Sequence, residues 1–461
     1  MSESNSGDNN PRPQVDSSAR GILALAVPAL GSLVIEPLLT LIDSVMVGHL
    51  GTAPLASLSL ASTILTTLVG VFVFLAYSTT AITARALGSV KPNEGIRGGI
   101  EAMWLALGLG IVLVIALVAG APWVVSVMGA EGEVAVGAIT YLRAASFGMI
   151  GMLVILAATG TLRGLLDMKT PLYVLAIGSV INVILNATLI YGAGLGILGA
   201  GIGLSITQTL MAAMLVFKVA SQARERGVKL HPSTSGVLSS ASEGFPLFIR
   251  TISLRAALLA TVFVATRAGM LALAGHQVVN SIWSMTAFAL DALAIAAQSL
   301  VGVSLGAGRR DELRSLVRRL TLWGLVGAGI LGLLVAITSH WLPLLFGSDP
   351  QMHTVASRGL LIAGLLMPIA GVVFILDGVL IGAAEGRYLA KMGLLTLVLY
   401  LPALGGLMWW ISMHEPLDAA GQTIALGWLW VAFAGWFMLL RAIANAIRAF
   451  SDRMGELQTT N

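Results

Sequence analysis

The chain contains no cysteine, which excludes disulfides, thiolate metal sites and cysteine nucleophiles. Charge is scarce: Asp, Glu, Lys and Arg make up 10% of its 461 residues, against 57% hydrophobic. A water-soluble protein of that length could not cover its surface with so little charge. Only six histidines occur, isolated and never in HExxH spacing, so no zinc site is expected. There is no nucleophile–base pair, no metal constellation and no filter-like sequence that would ring a channel pore. Neither an enzyme nor a bound cofactor is expected. "GLGILG" (Gly194, Gly196, Gly199) matches a dinucleotide fingerprint but follows no strand and reads as a tight turn.

What is present is apolar sequence in lengths of about 20 residues, enough to cross the hydrocarbon as a helix. Barrel strands would be half as long and would alternate. The pattern predicts an all-α polytopic membrane protein with spans near 21–47, 56–84, 96–119, 136–162, 170–192, 196–219, 244–266, 273–304, 313–339, 354–381, 388–412 and 421–447. Residues 1–20 and 448–461 read as polar tails, and no cleaved signal is expected. The net charge of +4 and pI near 9.6 would fit nucleic acid, but the distribution of the charge argues otherwise. Of 26 Lys and Arg, all but Arg143, Arg267 and Arg358 fall on one side of the predicted spans. By the positive-inside rule both termini are cytoplasmic and the chain sits in the cell (inner) membrane, with lipid around it.

Sliding the chain against itself by 218 residues aligns Pro28 with Pro246, Gly51 with Gly269, Leu87-Gly88 with Leu305-Gly306, and "GTLRG" (from Gly160) with "GVLIG" (from Gly378). Two parallel six-helix repeats follow, an N-lobe over 21–220 and a C-lobe over 244–447, joined by a basic, turn-rich linker over 221–243. Two such lobes can rock about a central cavity, which is a transporter's architecture.

The first span, "VIEPLLTLIDSVMVGHLG", carries Glu36, Pro37 and Asp43. With Ser32 and Thr40 the two acids form one polar stripe, and they stand about 10 Å apart along the axis. A carboxylate in hydrocarbon is costly while charged, so such a group can hold and release a proton as water or a cation arrives. The plain alternatives are interfacial hydration for Asp43 and a fixed interhelical hydrogen bond for Glu36. Pro37 lacks the N–H that would bond the Leu33 carbonyl, and with Pro28 it makes the helix a candidate hinge. In the fifth span Asn182 and Asn186 share a face and are placed to bond these acids, or act as interhelical glue. In the C-lobe, Arg255 and Asp291 lie at similar depth and suggest a salt bridge, with Arg250 nearby. Asp377 is expected near the cytoplasmic face, neutralised by Arg387 or Lys391.

"LIDSVMVGHLG" resembles the first-helix signature of the multidrug and toxic-compound extrusion (MATE) family. "LFIRTISL", "ALDALAIAAQSLVG" and "LDGVLIGAAEG" are similar to its DinF-type branch. The resemblance implies a V-shaped pair of lobes exporting amphipathic, often cationic compounds on a proton or sodium gradient. It also implies that the position of Asp43 is the N-lobe cation site and that helix 1 bends on protonation. Many relatives carry Asn-x-x-x-Asp in helix 5, where this chain has Asn182 and Asn186, so a high-charge sodium site is weakened. Proton coupling through Asp43, with Glu36 as a possible partner, leads; sodium coupling, a lipid-linked precursor flippase and a non-transporting receptor or scaffold are the alternatives. A monomer is expected.

Overall fold

A computed structural model describes Asp16, residues 18–451 and Met454; the rest of both expected tails lies outside the described residues. Eleven continuous helices are long and apolar enough to cross a membrane, and a bent pair makes a twelfth span. In chain order they are α1 (Ala19–Gly48), α2 (Thr52–Gly88), α3 (Pro92–Val127), α4 (Gly132–Ser146 and Gly148–Gly164), α5 (Lys169–Gly192), α6 (Gly196–Glu225), α7 (Thr234–Ala268), α8 (Met270–Gly306), α9 (Arg310–Thr338), α10 (Pro350–Gly382), α11 (Gly386–His414) and α12 (Ala419–Ala449). Every expected span is present, and most extend beyond the apolar run. The starts are set by local chemistry: the Ser18 and Ser233 hydroxyls and the Asp418 carboxylate each accept a backbone N–H of the first turn.

Three expectations need correction. The connection between lobes is shorter than 221–243, because α6 runs to Glu225 and α7 begins at Thr234. Its basic residues are held rather than loose: Arg97 Nη1 donates to the carbonyls of Lys229 and His231, and Trp104 Nε1 to that of Leu230. The C-terminal boundary near 448 falls inside α12, which continues to Ala449. The fourth span is broken by 49° at Phe147. Ser205 of α6 wedges into the break, its hydroxyl accepting from Gly148 N at 2.9 Å and donating to the Ala144 carbonyl at 2.7 Å. Backbone groups freed by the bend are thereby satisfied in a place without water.

The end of the bundle that carries the start of α1, the linker and the end of α12 is the basic end. There one apolar core joins both lobes, with Leu75, Ile100 and Leu162 from α1–α6 packed among Val301, Leu316 and Val379 from α7–α12. At the far end the core divides. Val47, Leu58, Leu117 and Leu142 form one N-lobe cluster, and Trp283, Tyr400, Leu426 and Trp430 belong to a separate C-lobe cluster. The lobes are joined at one end and apart at the other, which is the V-shape.

The 218-residue offset reappears in the packing. A Cβ on Gly88 would lie 2.0 Å from the Val303 carbonyl oxygen, and one on Gly306 would lie 2.0 Å from that of Arg85. These are the same contact made twice, because Arg85 and Val303 are themselves repeat partners. Within the lobes, Gly164 backs onto the Thr80 carbonyl and Gly382 onto that of Gln298, again partners. Polar bonds complete the seal between lobes: Gln298 Nε2 donates to the Tyr77 carbonyl at 2.7 Å, and Ser299 Oγ to that of Arg163 at 3.1 Å.

A side chain at Gly306 has only backbone to displace, so Gly306→Ala is expected to part the lobes at the basic end. The cysteine-free chain makes the check clean: Ser299→Cys, fully buried in the seal, should resist a maleimide alone and label readily when combined with Gly306→Ala. Equal labelling in both backgrounds would show that this contact does not close the basic end.

Candidate functional site

The polar stripe of α1 faces a pocket inside the N-lobe. A cavity of about 60 Å³, room for a few waters, is lined by Glu36, Thr40, Asp43, Ser62, Tyr141, Asn182 and Thr207 among others. Asp43 is buried. Its Oδ1 accepts a hydrogen bond from Asn186 Nδ2 at 2.8 Å; the same amide reaches Asn182 Oδ1 at 3.2 Å, and Asn182 Nδ2 continues to Thr207 Oγ1 at 3.3 Å. Asn186 thus bonds Asp43 directly, whereas Asn182 bonds Asn186 and Thr207 and no acid. Interfacial hydration of Asp43 is replaced by a chain of amides in a small enclosed space. Glu36 lines the same pocket, exposed, and no direct bond joins it to Asp43 or to either asparagine among the described residues. Tyr141 and Thr207, which single-helix spacing could not reveal, complete the wall.

Local backbone chemistry holds the pair in place. Immediately after Asn186, α5 widens into a π-helical turn over Ala187–Gly192, a distortion common at functional sites. From it Tyr191 donates to the Met46 carbonyl at 2.5 Å and ties α5 to the end of α1. Gly203 of α6 admits the Asn186 side chain, since a Cβ there would sit 2.0 Å from Asn186 Oδ1. α1 itself is unbroken from Ala19 to Gly48 with Pro28 and Pro37 inside it. The hydroxyls of Ser32, Thr40 and Ser44 bond back to carbonyls of the preceding turn, a pattern that eases bending.

The repeat gives this site an internal control. Asp43 and Asn182 correspond to Thr261 and Tyr400, and those two hydroxyls bond one another at 2.8 Å in the C-lobe. Tyr400 is fully buried there. The scaffold is duplicated, but the acid, the amides and the second proline are found in the N-lobe alone; Pro37 corresponds to Arg255.

The C-lobe charges assemble differently from expectation. Arg255 and Asp291 do not pair. Asp377 is buried, and the partners it has are not Arg387 and Lys391. It accepts from Arg250 Nη2 at 2.5 Å and from Asn445 Nδ2 at 2.7 Å, and makes a further ion pair with Arg441. Arg250 and Arg255 are five residues apart on α7, which turns them about 140° from each other; equal depth was therefore not enough to choose the partner. Arg441 and Asn445 of α12, one turn apart on the same face, lie inside the expected 421–447 span, but their partner sits on another helix and sequence spacing did not point to it.

This cluster forms one wall of a central cavity of about 510 Å³ between the lobes. Gly70, Val73 and Tyr77 come from α2, and Arg255, Asp291, Trp283 and Phe433 are among the residues facing it from the C-lobe. The Arg250 guanidinium lies 6.0 Å from the centroid of the Tyr77 ring. One cavity is thus apolar, aromatic and charged, and both lobes contribute to it.

The two sites should respond differently to loss of charge. Asp377→Asn leaves two buried arginines facing a neutral amide and is expected to cost about 3–5 kcal/mol of stability. Asp43→Asn, with an amide already beside it, should cost less than about 1 kcal/mol. Denaturation in detergent measures both; equal losses would erase the distinction between structural cluster and titratable site.

A family model described as MatE matches residues 28–188 and 246–404. The second match begins at the residue that the repeat offset assigns to the start of the first. Protein DETOXIFICATION 44, chloroplastic, of Arabidopsis thaliana is 29% identical over 455 residues, covering 96% of this chain and 84% of that protein. DNA damage-inducible protein F of Escherichia coli is 26% identical, with 89% and 92% covered. Probable multidrug resistance protein NorM of Thermotoga maritima is 23% identical, with 81% and 82% covered. Among solved structures, one described as MATE in the bent conformation superposes with a TM-score of 0.82 at 18% identity, covering 93% of this chain and 94% of that one. The two six-helix repeats, their V-shaped junction and both family matches lead to one assignment: the chain belongs to the MatE family, whose members are membrane transporters and not enzymes.

Proposed function

We propose that the protein is a secondary active exporter of amphipathic small molecules, driven by antiport of a cation, with the proton as the coupling ion and Asp43 as its site. The observation that carries this reading is the bond from Asn186 Nδ2 to Asp43 Oδ1 inside a small polar pocket. An amide N–H directed at the carboxylate occupies ground that a sodium ion would need for an oxygen ligand.

The geometry supports a cycle of the following kind. The basic end lies in the cytoplasm of a cell with an inner membrane, so the joined core closes the inner side and the divided far end opens outward. Asp43 takes a proton from outside, its hydrogen bond to Asn186 is rearranged, and α1 bends at Pro37, where one backbone bond is already missing. The pocket wall and the inter-lobe face of α1 move together. The lobes then rock inward, the proton leaves to the cytoplasm, and a new substrate enters the central cavity. One proton moving down 100 mV supplies about 2.3 kcal/mol, enough to bias two conformations by tens-fold.

The test is efflux from reconstituted vesicles with proton and sodium gradients imposed separately. A proton gradient alone should drive transport in the wild type and fail in Asp43→Asn. Transport by the variant at the wild-type rate, or transport on sodium alone, would reject the proposal. Pro37→Ala, which restores a donor for the Leu33 carbonyl, should leave substrate affinity intact and slow turnover by about tenfold or more, the effect of ~1.4 kcal/mol on a barrier. Stopped-flow efflux reads this directly, and unchanged turnover would remove the hinge.

A further inference from the structure

We propose that the central cavity recognises an amphiphile bearing an anionic group, such as a carboxylate, and that Arg255 is the residue that binds it. This goes against the cationic substrates that the family resemblance implies. It rests on the reading above only in taking this cavity as the substrate site.

The charges lining the cavity are Arg250, Arg255 and Arg441 against Asp291 and Asp377. Four of the five account for one another. Arg250 and Arg441 both bind Asp377, and Asp291 lines the same wall of the cavity. Two arginines and two acids therefore balance inside the C-lobe wall. Arg255 has no hydrogen bond or ion pair among the described residues. It is exposed to the cavity, while Arg250 and Arg441 are buried. Arg163, at the end of α4, adds positive charge near Asp291 and no acid beyond those two. The surplus is positive, and it is carried by an exposed side chain with unused donors.

Arg255 is also held in position. Its guanidinium lies against the bare backbone of Gly70 in α2, where a Cβ would fall 1.9 Å from Nη2. The fork of donors is thus placed where the two lobes meet, in a cavity whose half-buried rings include Tyr77 and Phe288. A planar guanidinium with unused donors matches a carboxylate in bidentate geometry, and the aromatic wall takes the apolar body. An organic cation placed there would meet an uncompensated positive charge.

Equilibrium binding to protein in phosphatidylcholine nanodiscs tests this without depending on coupling at Asp43. The probes are a fluorescent naphthalene carboxylate, its uncharged methyl ester and the matching naphthylmethylamine. The carboxylate should bind most tightly, and Arg255→Gln should weaken it by about tenfold or more, as for a lost charge-assisted hydrogen bond, while leaving the ester unchanged. Arg255→Lys should retain part of the preference. Tighter binding of the amine, or equal carboxylate affinity in wild type and Arg255→Gln, would overturn the proposal. Adding phosphatidylglycerol separates the source of the anion: unchanged affinity assigns the site to a soluble acid, and competition by the lipid overturns that in favour of a headgroup. Because Asp43 is untouched, failure here leaves proton antiport standing, and failure of the gradient experiment leaves this binding preference standing.

Discussion

A carboxylate removed from water must be neutral, paired or hydrogen-bonded, and the two buried acids described here answer that constraint in opposite ways. Asp377 is locked by two arginines and an amide. Asp43 accepts a single neutral amide and faces a pocket with room for water. The first arrangement is expensive to break and has no reason to change during a cycle. The second has little holding it in either state, which is what a group that must gain and lose a proton requires. The rest of the structure serves that difference, by enclosing one acid in the helix that can bend and fixing the other in the wall that must not.

Duplication explains how both can coexist in one fold. The glycines at 88 and 306 close the basic end by the same backbone contact used twice, so the two lobes meet with near-twofold symmetry and can tilt about that junction. The chemistry laid onto the scaffold is not duplicated. Where the N-lobe has Asp43 and Asn182, linked only through Asn186, the C-lobe has Thr261 and Tyr400 bonded directly to each other, a neutral and closed pair at the same two positions. Where α1 has Pro37, α7 has Arg255. One lobe carries the ion and the hinge, and the other carries the charged wall of the central cavity.

Much of this was legible in the sequence, and the reason is the bilayer. Hydrocarbon forces every span to declare itself as a long apolar run, so twelve helices and their repeat could be read directly. The Asp43–Asn186 contact was legible because an acid and an amide in apolar surroundings have few alternatives but each other. The C-lobe network was not, although its members were visible. Depth along the membrane says how far a side chain has travelled and nothing about its direction around the helix, and that direction sent Arg250 to Asp377 and turned Arg255 toward Gly70. Arg441 and Asn445 lay inside the expected last span, and their tie to Asp377 depends on how α12 packs against α10, which spacing along one helix does not give. The break in α4 at Phe147 was hidden for a similar reason: its cause is Ser205, on a different helix. The Thr261–Tyr400 pair, in contrast, was within reach of the 218-residue offset applied to Asp43 and Asn182.

The claim on which the account stands is that substrate and proton compete through the state of one side chain. Proton release on substrate binding measures this most directly, recorded with a pH dye in weakly buffered detergent solution. Adding a transported substrate to the wild-type protein should release protons in proportion to the protein present, and Asp43→Asn should bind the same substrate with no release. Equal release from both proteins, or none from the wild type, would contradict the account.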